Sequence, residues 1–127
     1  MPRTPVSTDR APAAIGPYSQ AARVGDIVFL SGQIALDPES GELVAGGIEA
    51  QARRAFANLE AVCVAAGGSL DDVVRVGLYL TDLDEFSMVN AIMAEVFADP
   101  YPARSTIEVS ALPRGAVFEV DAVMVLR

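Results

Sequence analysis

Apolar and polar positions change period several times along the chain, and each change marks an element. Ile48, Ala52, Ala55, Phe56, Leu59, Cys63 and Ala66 recur at steps of three and four, which is one stripe of a helix. Gly67-Gly68 closes it, because glycine tolerates the left-handed conformation at a helix end. A second stripe runs through Phe86, Val89, Met93, Val96 and Phe97. Asp82-Leu83-Asp84-Glu85 supplies its cap and an acidic first turn, and Pro100 stops it. Tyr18 to Val24, Ile27 to Leu30, Ile34 to Leu36, Val73 to Thr81, Arg104 to Ser110 and Val117 to Leu126 read as strands. Turn signals separate them: Gly25-Asp26, Asp37-Pro38-Glu39-Ser40-Gly41 and Leu112-Pro113-Arg114-Gly115. Residues 1–12 carry Pro2, Pro5 and Pro12 among small polar residues and read as an extended or mobile arm.

The order β-β-β-α-β-α-β-β, with no repeat and no linker, predicts one α+β domain over residues 1–127: a single mixed β-sheet with two helices packed on one face. In the last strand Phe118, Val120, Ala122, Met124 and Leu126 face the helices, and Glu119 and Asp121 face away. Alternation puts Val74, Val76, Leu78 and Leu80 on the helix side, and Val73, Arg75, Gly77 and Tyr79 opposite. In the strand from Arg104 it puts Ser105, Ile107 and Val109 towards the helices, and Arg104, Thr106, Glu108 and Ser110 away. Two helices leave one sheet face uncovered, and its mixture of valines and charges suits a subunit interface. On alternation alone, the first expectation for Arg104 and Glu119 is a structural ion pair.

Composition narrows the chemistry. The 127 residues fit one domain and carry 9 basic against 17 acidic groups, a net charge of −8, which opposes binding along a phosphate backbone. No histidine and a single cysteine leave no Ser-His or Cys-His pair, no histidine or thiolate metal site and no disulfide within the chain. Cys63 lies on the buried helical stripe. No apolar run reaches bilayer length and the N-terminal residues show no hydrophobic signal segment, so the reading is a soluble cytoplasmic protein.

Three strings are specific. Ala13-Ala14-Ile15-Gly16-Pro17-Tyr18-Ser19-Gln20, Phe29-Leu30-Ser31-Gly32-Gln33-Ile34, and Pro102 to Val109 followed by Phe118-Glu119-Val120 occur in that order. They resemble the signature of the reactive intermediate deaminase family (RidA, or YjgF/UK114), and the match runs from about Ala11 to Leu126. The resemblance implies a chorismate-mutase-like fold, a homotrimer with clefts between subunits, and no cofactor. It implies hydrolysis of 2-imino and 2-enamino acids, of the 2-iminobutanoate and 2-iminopropanoate type, to 2-oxo acids and ammonia. Arg104 would bind the substrate carboxylate, a role its guanidinium fork suits. Glu119 would hold and deprotonate the attacking water. Thr106, the third catalytic position the resemblance implies, stands where many members carry cysteine; it would contact the substrate nitrogen partly through its backbone, and with no adjacent base its hydroxyl is no nucleophile. Tyr18, Gly32 and Asn90 match positions that line the cleft. As bare residues they read as an edge aromatic, a bulge glycine and a solvent-facing helix asparagine. Alternatives are a non-catalytic trimer that binds 2-oxo acids, and the same chemistry on a larger enamine. The partners implied are a small molecule and further copies of the chain, with no nucleic acid and no membrane.

Overall fold

The computed structural model describes residues 2–127. Met1, the first residue of the expected arm, lies outside them. Six strands form one mixed sheet: β1 (Thr4–Val6), β2 (Ala21–Val24), β3 (Ile27–Gln33), β4 (Val73–Leu80), β5 (Ala103–Glu108) and β6 (Phe118–Val125), in the spatial order β1-β2-β3-β6-β4-β5. Among the described residues only the β4–β5 pair is parallel, so its connection must cross over, and α2 (Phe86–Val96) makes that crossing. The longer helix α1 (Ile48–Ala65) packs on β3 and β6 and against α2. One core joins Phe56, Leu59 and Val62 of α1 and Val89 and Ile92 of α2 to Val28, Val76, Leu78, Phe118 and Val120 of the sheet. Among the described residues no helix is long and apolar enough to cross a membrane.

Both helices follow the expected stripes. α1 ends where Gly67 adopts φ +97°, the conformation for which glycine is the cheap residue. Against expectation Asp82 caps not α2 but a short 3-10 turn before it, its Oδ1 accepting from the Asp84 N–H at 2.9 Å, and the acidic residues expected in the first turn of α2 lie in that turn.

One expectation is narrowed and three more are corrected. The arm, expected to be extended or mobile, is extended: Thr4–Val6 pairs with β2 as an edge strand. Gln20 fixes the stretch behind it, donating to the carbonyls of Thr8, Ala11 and Pro12 and accepting from the Thr8 N–H at 2.7 Å. Ile34 to Leu36 is not a strand, because β3 continues through Ser31-Gly32 to Gln33 and the chain then turns off the sheet. Two of its carbonyls accept from a side chain, Asn58 Nδ2 donating to the Ile34 and Leu36 oxygens at 3.1 and 2.9 Å, and the Ala35 carbonyl accepts from the Val44 N–H at 3.0 Å. In β4 an extra residue, Val74, bulges outwards, so Val73 is buried against Met124 while Val74 is 48% exposed. The faces of β5 are the reverse of the expectation. Val76 pairs with Arg104 and Leu78 with Thr106, so Arg104, Thr106 and Glu108 share the helix side, while Ser105 and Ile107 lie on the open face. Choosing the apolar pair Ile107 and Val109 for the core fails because β5 is an edge strand, with no second neighbour to bury either side fully.

Candidate active site

The signature residues divide between two cavities. The first lies where β3 bulges: Ser31 and Gly32 together face Asp121 of β6, between the Leu30–Ala122 and Gln33–Val120 pairs. Gly32 is therefore both a bulge glycine and a point of close approach. A Cβ there would collide with Glu119 Oε2 and lie 2.9 Å from its Cδ. The cavity is about 420 Å³ and includes Tyr18, Gly32, Glu119, Ile15, Leu36 and Arg114 in its wall, within the range of small-molecule pockets. Tyr18 is half exposed, and its Oη accepts from the Ile15 N–H at 3.5 Å, a contact at the limit of a hydrogen bond. Burial first, and then the neighbouring Asp121 carboxylate, raise the Glu119 carboxyl above its ordinary value. Asp121 itself accepts from Tyr79 Oη at 3.0 Å, over the space left by Gly77.

The second cavity belongs to α2 and β5. Phe86, Asn90 and Met93 recur at four- and three-residue steps along one side of α2, and Arg104 lies against all three. Its Nη1 donates to Asn90 Oδ1 at 2.7 Å and approaches Met93 Sδ at 3.7 Å, while its guanidinium carbon stands 5.1 Å from the Phe86 ring centre. Asn90 is thus a partner of Arg104 rather than an idle helix-surface residue. Asn90 and Arg104 share this pocket with Met93, Ala94, Tyr101 and Pro102.

The two cavities have no residue in common. Arg104 is on the helix side of the sheet and Glu119 on the open side. The expected structural ion pair between them is absent: among the described residues the salt bridges are Arg23–Asp26, Arg53–Glu49, Arg53–Glu95 and Arg127–Asp72. Thr106, two residues along from Arg104, lines neither cavity. Its Oγ1 is buried without a hydrogen-bond partner. Cys63 is fully buried and burial pushes its thiol up to about 12, so no thiolate forms near neutral pH.

Sequence reasoning missed the residues that build the first cavity's irregular walls. Gln20 holds the arm, Asn58 holds Ile34 and Leu36, and Gln51 accepts from the Val117 N–H at 2.9 Å just before β6. All three amide side chains belong to buried residues. The available signal was an amide on the apolar stripe side of a helix, as for Gln51 and Asn58. Arg114 was read only as part of a turn.

A single-sheet α+β domain that presents a carboxylate over one face and a guanidinium under the other defines a small protein whose polar machinery is split between two surfaces. Residues 8–126 match the family described as Endoribonuclease L-PSP, and the chain belongs to this family, the YjgF/RidA family. It is 45% identical over 123 residues to a RutC family protein of Pyrococcus abyssi, covering 97% of each chain. To the 2-iminobutanoate/2-iminopropanoate deaminase of Mus musculus it is 45% identical over 123 residues, covering 97% of this chain and 91% of that one. The crystal structure of RidA from the Antarctic bacterium Psychrobacter sp. PAMC 21119 superposes with a TM-score of 0.95 at 47% identity, covering 98% of this chain and all of that one.

Proposed function

We propose that the protein is a cytoplasmic hydrolase of small 2-imino acids, working in clefts formed between the copies of a homotrimer. The observation that carries this reading is the separation of Arg104 from Glu119. A carboxylate clamp and a water-activating base are useful only within one substrate's length, and within one chain they occupy opposite sides of a sheet. A head-to-tail contact that sets the Arg104 pocket of one copy against the Glu119 cavity of the next solves this, and such contacts close into rings. The open sheet face has the apolar groups for it: Ile27, Phe29, Ile107 and Val125 are all at least 38% exposed there.

In the composite cleft Arg104 takes the substrate carboxylate with two charge-assisted hydrogen bonds, and Asn90 Oδ1 keeps the guanidinium aimed. Glu119 takes a proton from water as the water oxygen bonds to C2. The C=N π pair moves to nitrogen and gives a carbinolamine. Glu119 returns that proton to nitrogen, then takes the hydroxyl proton and passes it to the same nitrogen; the freed oxygen pair becomes the C=O π bond as the C–N pair leaves with nitrogen, releasing ammonia and the 2-oxo acid. A carboxyl group with a raised pKa is a better base for water than an ordinary glutamate. Positioning supplies the rest, several kcal/mol of barrier. The −8 charge speaks against an endoribonuclease.

The test supplies 2-iminobutanoate from an amino acid oxidase and follows semicarbazide trapping. Wild-type protein lowers trapping, and Arg104→Ala and Glu119→Gln do not. Co-expressing these two variants in equal amounts restores about a quarter of the activity, since about one junction in four unites an intact Arg104 with an intact Glu119 on different chains. A site contained in one chain would stay dead in every mixture. Stabilisation by 2-oxo acids without ammonia release would replace the enzyme reading with that of a binding protein.

A further inference from the structure

The Glu119 cavity carries a cation that imine hydrolysis does not use. Arg114 sits in the turn before β6 with φ at +63°, a left-handed conformation uncommon for a side chain of this size. Its Nη2 donates to the Gly41 carbonyl at 3.2 Å, which ties it to the 37–41 turn. It is one of six arginines that make no salt bridge among the described residues, and of these it lines the Glu119 cavity as Arg104 lines the other. In a chain with 17 acidic and 9 basic residues, an unmatched guanidinium in a cavity wall is available to a ligand anion.

Its place in the wall says which anion. A substrate held by its C1 carboxylate on Arg104 of the adjoining copy, with C2 facing Glu119, sends its side chain into the Glu119 cavity. There Ile15 and Leu36 offer apolar contact to methylene groups, and Arg114 offers a fork to a terminal carboxylate. We propose that Arg114 is a specificity-determining residue, and that the protein prefers 2-imino dicarboxylic acids to neutral 2-imino acids. The assignment rests on the deaminase reading and adds the substrate class to it.

The test compares kcat/KM for 2-iminoglutarate and 2-iminobutanoate, each generated in situ, in wild type, Arg114→Gln and Arg114→Lys. Wild type favours the dicarboxylic imine. Arg114→Gln lowers the ratio of the two at least tenfold, mainly through KM for the dicarboxylic imine, and Arg114→Lys restores part of it. In parallel, the thermal stabilisation given by 2-oxoglutarate beyond that of 2-oxobutanoate disappears in Arg114→Gln. Equal losses on both imines, or a ratio that Arg114→Gln does not move, overturn this assignment alone. A wild type that accelerates neither imine overturns the deaminase reading beneath it.

Discussion

Glu119 is paid for in stability. Its carboxyl is raised in the folded protein by burial and by Asp121, so the unfolded chain gives up that proton first. The folded state therefore loses stability as pH rises from the ordinary glutamate value to the folded one, and below that window the group contributes nothing. Glu119→Gln is expected to raise Tm at pH 7 by on the order of 2 °C, while lowering turnover by about 10²–10⁴. The gain in Tm should vanish on acidification below the ordinary glutamate value; calorimetry across pH checks the sign. In the same cavity, Gly32→Ala sets a methyl group against the Glu119 carboxylate. It should cost about 1–3 kcal/mol in denaturant unfolding and most of the activity, because the base must move. The three strings of the sequence led to Glu119, Gly32 and Tyr18 together. They gave no sign that Arg104 and Asn90 lie in a different cavity, since sheet faces depend on register and not on motif order.

At the scale of elements, buried amides do what ladders do elsewhere. Gln20, Gln51 and Asn58 close the hydrogen bonds of segments that leave the sheet. Gln20→Leu should release residues 8–12, destabilise the protein by about 1–3 kcal/mol and speed tryptic cleavage after Arg10, measurable by mass spectrometry. The helices, β4 and β6 were legible because a deep core enforces periods of 3.6 and 2 on them. The strand expected at Ile34 to Leu36 was not, because that stretch leaves the sheet and an Asn58 side chain, distant in sequence, takes its Ile34 and Leu36 carbonyls. The faces of β5 were not legible either. There Ile107 points to the open side and is 48% exposed, while Arg104 and Thr106 point towards α2.

For the whole molecule, the uncovered face is the decisive surface. Phe29, 53% exposed, pairs with Val123 in the middle of that face, and Ile27 pairs with Val125 beside it. Phe29→Asp should shift the sedimenting species from three times the 13.3 kDa chain mass to a single copy and abolish turnover, although Phe29 touches neither Arg104 nor Glu119. A variant that stays assembled and active would remove that face from the contact. The mixed character of this face was legible in the alternation of β6; the junction of the two cavities proposed above was not, because such a geometry would belong to a pair of chains.

Under the proposed assembly, cavities that share no residue make output depend on crowding of the chain with itself. On that reading a newly synthesised copy holds two halves of a tool and no edge. Turnover per milligram should then fall on extreme dilution and recover on reconcentration, following mass action for the assembly.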